Sequence, residues 1–214
     1  FGEGMAEAYI REGAKVLIAD LNAEAGERVA KKLGANAKAV ATDVANADSV
    51  NAMVKACVDA FGVPDIVINN AGTTHKNQPM LNVDEKTFDR VFNVNVKSIY
   101  FMTHAVVPLM RQRGKGGVIL NVGSTAGIRP RPGLSWYNAS KGAVNLLSRA
   151  MAVELAPDNI RVNALCPGLT ETGMTKPTFD YAKEKQVTHK LGRLNPLRRA
   201  AQPEELANAA LFLA

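Results

Sequence analysis

Short apolar runs alternate with longer stretches of helical periodicity along the whole chain. Lys15–Ala19, Ala37–Thr42, Asp65–Asn69, Val118–Val122 and Ile160–Leu165 are each a brief run rich in Val, Ile, Leu or Ala. Brief apolar runs bounded by turn residues read as buried parallel strands. Between them, residues 2–12, 23–33, 47–61, 84–112 and 136–156 place apolar side chains at helical spacing, and a last helix covers 203–214. Strands alternating with helices predict an α/β fold, a doubly wound parallel sheet of the Rossmann type with right-handed crossovers. No repeat, low-complexity tract or linker interrupts the pattern, so residues 1–214 read as a single domain.

Local punctuation agrees with these elements. Asp48 or Asn46 can open the third helix. Asp84 precedes the long 84–112 helix, with Thr87 and Phe88 entering its apolar face. Gly34 and Gly62 stand where a left-handed helix stop is wanted. Residues 175–199 break the rhythm: they are polar, carry Pro177 and Pro196, and show little period. Such a segment beside the strand ends reads equally as a lid or as a loosely packed surface excursion.

A doubly wound sheet has its first strand in the middle. That strand would sit between the 15–19 and 65–69 strands, and nothing in the sequence supplies it. The expectation is that this strand and one after Ala214 are missing. The native chain would then carry about 15–20 more residues before Phe1, enough for a strand and its turn.

Composition narrows the classes. The chain has 214 residues, 47% hydrophobic and 21% charged, enough apolar content for a sizeable core. Two cysteines, Cys57 and Cys166, lie far apart and exclude a disulfide-stapled secreted domain. His75, His104 and His189 are too scattered for a local metal motif, so no metal is expected. No apolar run approaches the ~20 residues of a membrane helix, and no signal segment opens the chain. These features suggest a cytoplasmic protein with no membrane partner.

The formal charge is +6, with a pI near 9.4. Basic residues are spread from Arg11 to Arg199, and aromatics make up only 6%. That distribution lacks the clustered patch and stacking platform of a nucleic-acid binder. A phosphate-bearing cofactor or an acidic substrate fits the charge more simply.

The candidate chemistry starts with Tyr137 and Lys141, four residues apart and so on one helix face. An ammonium beside a phenol favours phenolate and lowers the tyrosine pKa from ~10. Tyr181 and Lys185 share the spacing, but only Tyr137 has a serine thirteen residues earlier, Ser124, at a strand end. The neighbouring strand ends carry Asn69-Asn70-Ala71-Gly72 and Pro167-Gly168. Functional groups of open α/β sheets gather at these carboxyl ends. Asp20 ends the first strand, where a carboxylate can hold both ribose hydroxyls of NAD and repel a 2′-phosphate. Helix capping is the plainer reading of Asp20 and Asp43, and of Ser124.

Together these residues resemble the classical short-chain dehydrogenases/reductases over essentially the whole length. The elements that carry the likeness are Asn69-Asn-Ala-Gly72, Asn95, Ser124, Tyr137-x-x-x-Lys141 and Pro167-Gly168-x-x-x-Thr172. The resemblance implies that Tyr137 is the general acid/base, that Ser124 holds the substrate oxygen, and that Lys141 binds the nicotinamide ribose. Asn95, preferred to Asn93, resembles the asparagine that anchors a proton-relay water. The likeness further implies cofactor contacts at Phe1, Gly2, Asp20, Leu21, Asp43, Val44, Asn70, Ala71, Gly72, Pro167, Gly168 and Thr172. Phe1 and Gly2 align with the end of a glycine turn whose first two glycines are absent. Glu3 and Asp20, with no base directly after Asp20, favour NAD over NADP.

The expected activity is interconversion of a secondary alcohol and a ketone by hydride transfer, on a small-molecule substrate. The walls of its pocket would be Thr73–Lys76, Ala126–Leu134, Trp136 and residues 173–195. A 3-oxoacyl-thioester (acyl-carrier-protein) reductase is an alternative. Lys115 fits one basic position of such reductases, but Asp158 occupies the other. Arg129 and Arg131 suit an acidic substrate or merely an exposed loop. A non-catalytic nucleotide-sensing or scaffold protein is the reading from another class, opposed by the intact Ser124, Tyr137, Lys141 and Asn95. The 84–112 and 136–156 helices carry apolar residues on more than one face: Val91, Val94, Ile99, Phe101 and Met102, then Val144, Leu147 and Met151. That surplus, with the resemblance, predicts a homo-oligomer, a tetramer.

Overall fold

The computed structural model describes residues 1–193 and 195–214. Among the described residues there are five strands, each parallel to its sheet neighbours: β1 Val16–Asp20, β2 Ala37–Ala41, β3 Ile66–Asn69, β4 Gly117–Val122 and β5 Ile160–Leu165. The helices are α1 Gly2–Arg11, α2 Ala23–Leu33, α3 Ala47–Phe61, α4 Glu85–Phe92, α5 Ser98–Arg113, α6 Ser135–Leu155, α7 Lys176–Glu184 and α8 Pro203–Leu213.

The strands form two pieces, β1-β2 and β3-β4-β5. Among the described residues no strand lies between β1 and β3, the slot where the sequence reading misses one. Helices join the pieces instead. Successive strand residues point to opposite faces, and the packing follows that alternation. Val67 and Ile119 face α5 and α6, meeting Ile99, Val106, Val107, Met110, Val144 and Met151. Their neighbours Ile66, Ile68 and Leu120 face α1 and α8, against Met5, Ala8, Tyr9, Ala207 and Ala210. Val16 of β1 joins this second cluster. Leu17 and Val40 turn the other way, onto α3 and Phe101, Met102 and Leu109 of α5. Tyr9 Oη donates to the Ala210 carbonyl at 2.9 Å and locks α1 to α8.

The caps are local and follow the side chains. Asn22 accepts from Ala25 N–H and opens α2. Asn46, and not Asp48, accepts from Ser49 N–H and opens α3. Asp84 accepts from Thr87 N–H at 2.7 Å and opens α4. Gly34 and Gly62 have positive φ but extended ψ, so they leave the helix without the left-handed cap expected of them. Gly114, after α5, is the left-handed stop.

Two expectations need correction. The 84–112 helix is not continuous: Asn93–Lys97 forms a π-helical turn between α4 and α5. Its cause is long-range, because the Asn95 side chain is held by residues far away in sequence. The 175–199 segment is not irregular throughout. It contains α7 and a 3₁₀ turn over Thr188–Lys190, and it returns to the body through a Thr170–Ala201 bridge. Phe179 and Ala182 bury one face of α7. Leu194, inside the expected substrate wall, lies outside the described residues.

Candidate active site

The sheet first fixes where α6 sits. Register pairs Asn69 of β3 with Asn121 of β4. Asn69 Nδ2 donates to Asn121 Oδ1 at 2.7 Å, and Asn121 Nδ2 donates to Ser148 Oγ at 2.9 Å. Ser148 Oγ then donates to the Val144 carbonyl. Asn121 and Ser148 are buried, and a buried polar group this well paired specifies one geometry. The chain of amides thus bolts α6 across the strand ends. The turns of α6 before Val144 carry Lys141 and Tyr137 beside the carboxyl edge of β4.

Lys141 is 5% exposed. Its Nζ donates to the Val122 carbonyl, the last of β4, at 2.8 Å. Burial lowers its pKa from 10.5 to about 8, with the Cys166 thiol pulling weakly the other way. A β-carbon at Gly72 would stand 3.4 Å from Lys141 Nζ and 3.5 Å from Asn95 Oδ1, so glycine keeps that junction open. Tyr137 is half-buried one turn before Lys141. Tyr181, by contrast, is exposed on α7.

Ser124 follows β4 in extended backbone and is buried. Its Oγ accepts from Ala126 N–H at 3.0 Å, capping the 3₁₀ turn Thr125–Gly127. The cap reading is therefore realised, yet it uses only a lone pair and leaves the hydroxyl proton to donate elsewhere. Two backbone bonds fix this turn against the next strand end: Gly123 N–H to Leu165 O, and Thr125 N–H to Pro167 O. Asn145, on the α6 turn after Lys141, donates to the Ser124 carbonyl and accepts from the Cys166 thiol.

Asn95 lies in the π-helical turn and is 2% exposed. Its Oδ1 accepts from Thr73 N–H at 2.8 Å. Its Nδ2 donates to the Thr73 carbonyl and to Ser140 Oγ, each at 2.9 Å. Arg90 secures the same loop, from Nη1 to Thr73 Oγ1 and from Nη2 to the Thr74 carbonyl. These pulls on Asn95 account for the slipped helical register, and π-turns of this kind cluster at functional sites.

The expected cofactor residues line the same edge toward α1 and α2. Asp20 ends β1 and is exposed; one carboxylate oxygen accepts from Asn22 N–H at 2.9 Å. Leu21 beside it is exposed. Asp43 accepts from Ala45 N–H at 2.9 Å, with Val44 half-buried next to it. Phe1 packs onto the α1–α8 cluster. A β-carbon at Gly2 would come within 3.2 Å of Asn70 Nδ2. Asn70 Oδ1 is buried without a partner, and Ala71 beside it is exposed. Pro167 is buried and Gly168 exposed, and Thr172 N–H donates to Thr175 Oγ1. A glycine cradle, an orphaned amide oxygen and an exposed carboxylate fit a dinucleotide along this edge. Among the described residues no group of His, Cys, Asp and Glu is placed to hold a metal. None of the described helices is long and apolar enough to cross a membrane.

Sequence reasoning missed Ser140, Asn121 and Asn145, and gave Thr73 only a place in the substrate wall. Ser140 had a readable signal: it falls between Tyr137 and Lys141 on the same helix. The others touch partners that spacing along the chain does not reveal.

Comparison with known proteins identifies the family. The family model described as enoyl-(acyl carrier protein) reductase matches residues 1–214. The 4-formylbenzenesulfonate dehydrogenase of Comamonas testosteroni is 41% identical over 217 residues, covering 100% of this chain and 86% of that protein. The sorbitol dehydrogenase of Cereibacter sphaeroides is 36% identical over 223 residues, covering 100% and 85%. Among solved structures, a 3-ketoacyl-(acyl-carrier-protein) reductase from Brucella melitensis complexed with NADH superposes with a TM-score of 0.90 at 42% identity. It covers 99% of this chain and 85% of that one. A short-chain type dehydrogenase/reductase from Mycobacterium marinum gives a TM-score of 0.89 at 35% identity, covering 100% and 83%. With the strand-end serine, the Tyr-x-x-x-Lys helix and the π-turn asparagine in one Rossmann-like sheet, the chain belongs to the classical short-chain dehydrogenase/reductase family, NAD(P)-dependent oxidoreductases that interconvert secondary alcohols and ketones.

Proposed function

We propose that this enzyme prefers NAD and oxidises a small secondary alcohol, with Tyr137 as general acid/base and Ser124 holding the substrate oxygen. Lys141 and Asn95 complete the set, Lys141 on the nicotinamide ribose and Asn95 as the anchor of a relay water. One observation carries the reading: Ser124, Lys141 and Asn95 are all buried at the carboxyl edge of the sheet, and Lys141 Nζ and Asn95 Oδ1 flank the same Gly72. The bound nicotinamide supplies or accepts the hydride. In the oxidative direction Tyr137 takes the hydroxyl proton as its phenolate. In the reductive direction the Ser124 and Tyr137 hydroxyls donate to the carbonyl oxygen, where negative charge develops, and Tyr137 gives up its proton.

The exposed Asp20 carboxylate supports NAD, since it meets ribose hydroxyls favourably and a 2′-phosphate unfavourably. Two bases of α2 are turned to other carboxylates. Lys32 is engaged by Glu3 at 3.0 Å and also by Glu7, and Arg28 lies 3.7 Å from Glu3. The complex of the Brucella relative with NADH points the same way. Asp20→Ala should narrow the ratio of kcat/KM for NAD over NADP. A wild-type preference for NADP would refute the assignment.

Two loops wall the substrate side. Asn77 Nδ2 donates to the Pro132 carbonyl and Gln78 N–H to the Gly133 carbonyl. Trp136 Nε1 reaches the Met80 carbonyl at 3.2 Å. A 3-oxoacyl thioester is the second reading, favoured by the identity to the Brucella reductase. Against it stands Asp158, where carrier-protein reductases have a base; Arg111 pairs with it at 2.7 Å. Secondary alcohols with NAD, set against 3-oxoacyl thioesters with NADH and followed at the nicotinamide absorbance band, decide between the two.

The oligomer expectation keeps its place on different residues. Ile99, Val144 and Met151, with Leu147 against them, are consumed by the α5–α6 core, and Phe101 and Met102 by α3. Val91 is fully buried. The true surplus is Tyr100 of α5 with Leu146 and Val153 of α6, which remain 55%, 65% and 80% exposed. A second copy covering these helices fits that surplus, and we take a homotetramer as the working assembly. The free thiols of Cys57 and Cys166 suit a reducing, cytoplasmic setting.

A further inference from the structure

We infer that Ser140 is a positioning residue: its buried hydroxyl joins Asn95 to the Tyr137 turn of α6 and sets the distance between the relay and the acid/base. The inference rests on the roles proposed above for Asn95 and Tyr137. Ser140 is completely buried. Its Oγ donates to the Tyr137 carbonyl at 2.8 Å and accepts from Asn95 Nδ2 at 2.9 Å.

The direction of each bond is forced. Thr73 N–H needs an acceptor, which fixes Asn95 Oδ1 on that side. Asn95 Nδ2 then carries two protons, one spent on the Thr73 carbonyl and the other pointing at Ser140. Ser140 can only accept from it, so its single proton goes to the Tyr137 carbonyl. Each hydrogen on this path has one destination.

The connection is not needed to form α6, which has its own ladder of backbone bonds and the Asn121–Ser148 bolt. Nor is it needed to retain Asn95, which Thr73 already holds by two bonds. What Ser140 adds is a tie between two elements that otherwise meet only by packing: the π-turn and the first half of α6. Catalytic groups tolerate little misplacement, since about 1 Å can cost ~10²-fold in rate.

Ser140→Ala, Asn95→Ala and the double variant test this, with Ser140→Thr as the hydroxyl-bearing control. Ser140→Ala should lower kcat about 10-fold or more with KM for NAD and alcohol little changed. Ser140→Thr should recover most of the loss. In the Asn95→Ala background, Ser140→Ala should add almost nothing, as expected when one residue acts through the other. Full kcat in Ser140→Ala overturns the inference. So does an equal loss in Ser140→Thr, or a loss that multiplies fully with that of Asn95→Ala. If Asn95→Ala does not fold, the contrast between alanine and threonine decides. Tyr137→Phe, measured alongside, separates the two levels. If it keeps wild-type turnover, the acid/base assignment falls and this inference with it. If it loses turnover while Ser140→Ala does not, only the positioning role falls.

Discussion

The Lys141 ammonium donates to the Val122 carbonyl at 2.8 Å while its residue is 5% exposed. One backbone oxygen does not replace the hydration of a buried ammonium, and burial brings the lysine pKa down to about 8. The unfolded chain, with an ordinary lysine, therefore binds more protons than the folded one between pH 8 and about 10.5. Stability contributed by this group rises with pH across that window, and the full cost of the buried charge is present below it. Lys141→Met removes that cost. Its Tm at pH 7, without cofactor, should exceed that of the wild type, and the difference should shrink as the pH is raised toward 10. A variant less stable at pH 7 than at pH 10, relative to the wild type, contradicts this account of the site.

Tyr137→Phe should reduce turnover by ~10²-fold or more, the usual scale of lost general acid/base catalysis. Tyr181→Phe should leave it within twofold or so, because Tyr181 is exposed on α7. Both variants keep the ring and remove only the hydroxyl, so neither opens a cavity. A crippled Tyr181→Phe enzyme with an intact Tyr137→Phe one would reverse the assignment.

Much of this architecture is legible in the sequence because it rests on local rules. Each β-strand lies within a residue or so of its apolar run, because short apolar runs bounded by turn residues mark strands locally. Tyr137 and Lys141 share a helix face by geometry alone. Where long-range contacts decide, the sequence is silent. The π-turn over Asn93–Lys97 has nothing unusual in its own periodicity; it exists because Thr73 and Ser140 hold Asn95. The apolar residues of α5 and α6 read as a surplus beyond what one face needs to cover the sheet, yet most of them are taken up by α3 and the sheet. Periodicity finds an apolar face but cannot say which neighbour covers it. α7 escaped because only Phe179 and Ala182 of its residues are buried, too few to set a visible period.

Leu146 and Val153 lie seven residues apart on α6 and so on one face, 65% and 80% exposed. Leu146→Asp with Val153→Asp should convert the assembly to smaller species by light scattering. The fold should persist, because neither side chain belongs to the buried clusters. The same mass for the variant and the wild type would exclude this face as a subunit contact.

Gly127 closes the turn that carries Ser124, and it sits directly on α6. A β-carbon there would fall 2.5 Å from the Lys141 carbonyl carbon and 2.6 Å from Gly142 N. Both contacts are backbone, so no side chain can swing aside to relieve them. Gly142 faces it in turn, and a β-carbon at that position would stand 3.6 Å from Gly127 O. Gly127→Ala must therefore push the Thr125–Gly127 turn away from α6, at a cost of roughly 1–3 kcal/mol for overpacking of this kind. The displacement moves Ser124 relative to Tyr137, the two groups that meet one substrate oxygen in the proposed mechanism. We expect a lower Tm together with a kcat reduced by ~10-fold or more, since small misplacements of reacting groups are costly. Gly142→Ala provides the comparison: its contact distance is ordinary, so both Tm and kcat should change little. If the two substitutions behave alike, the close approach of this turn to α6 does not set the position of Ser124.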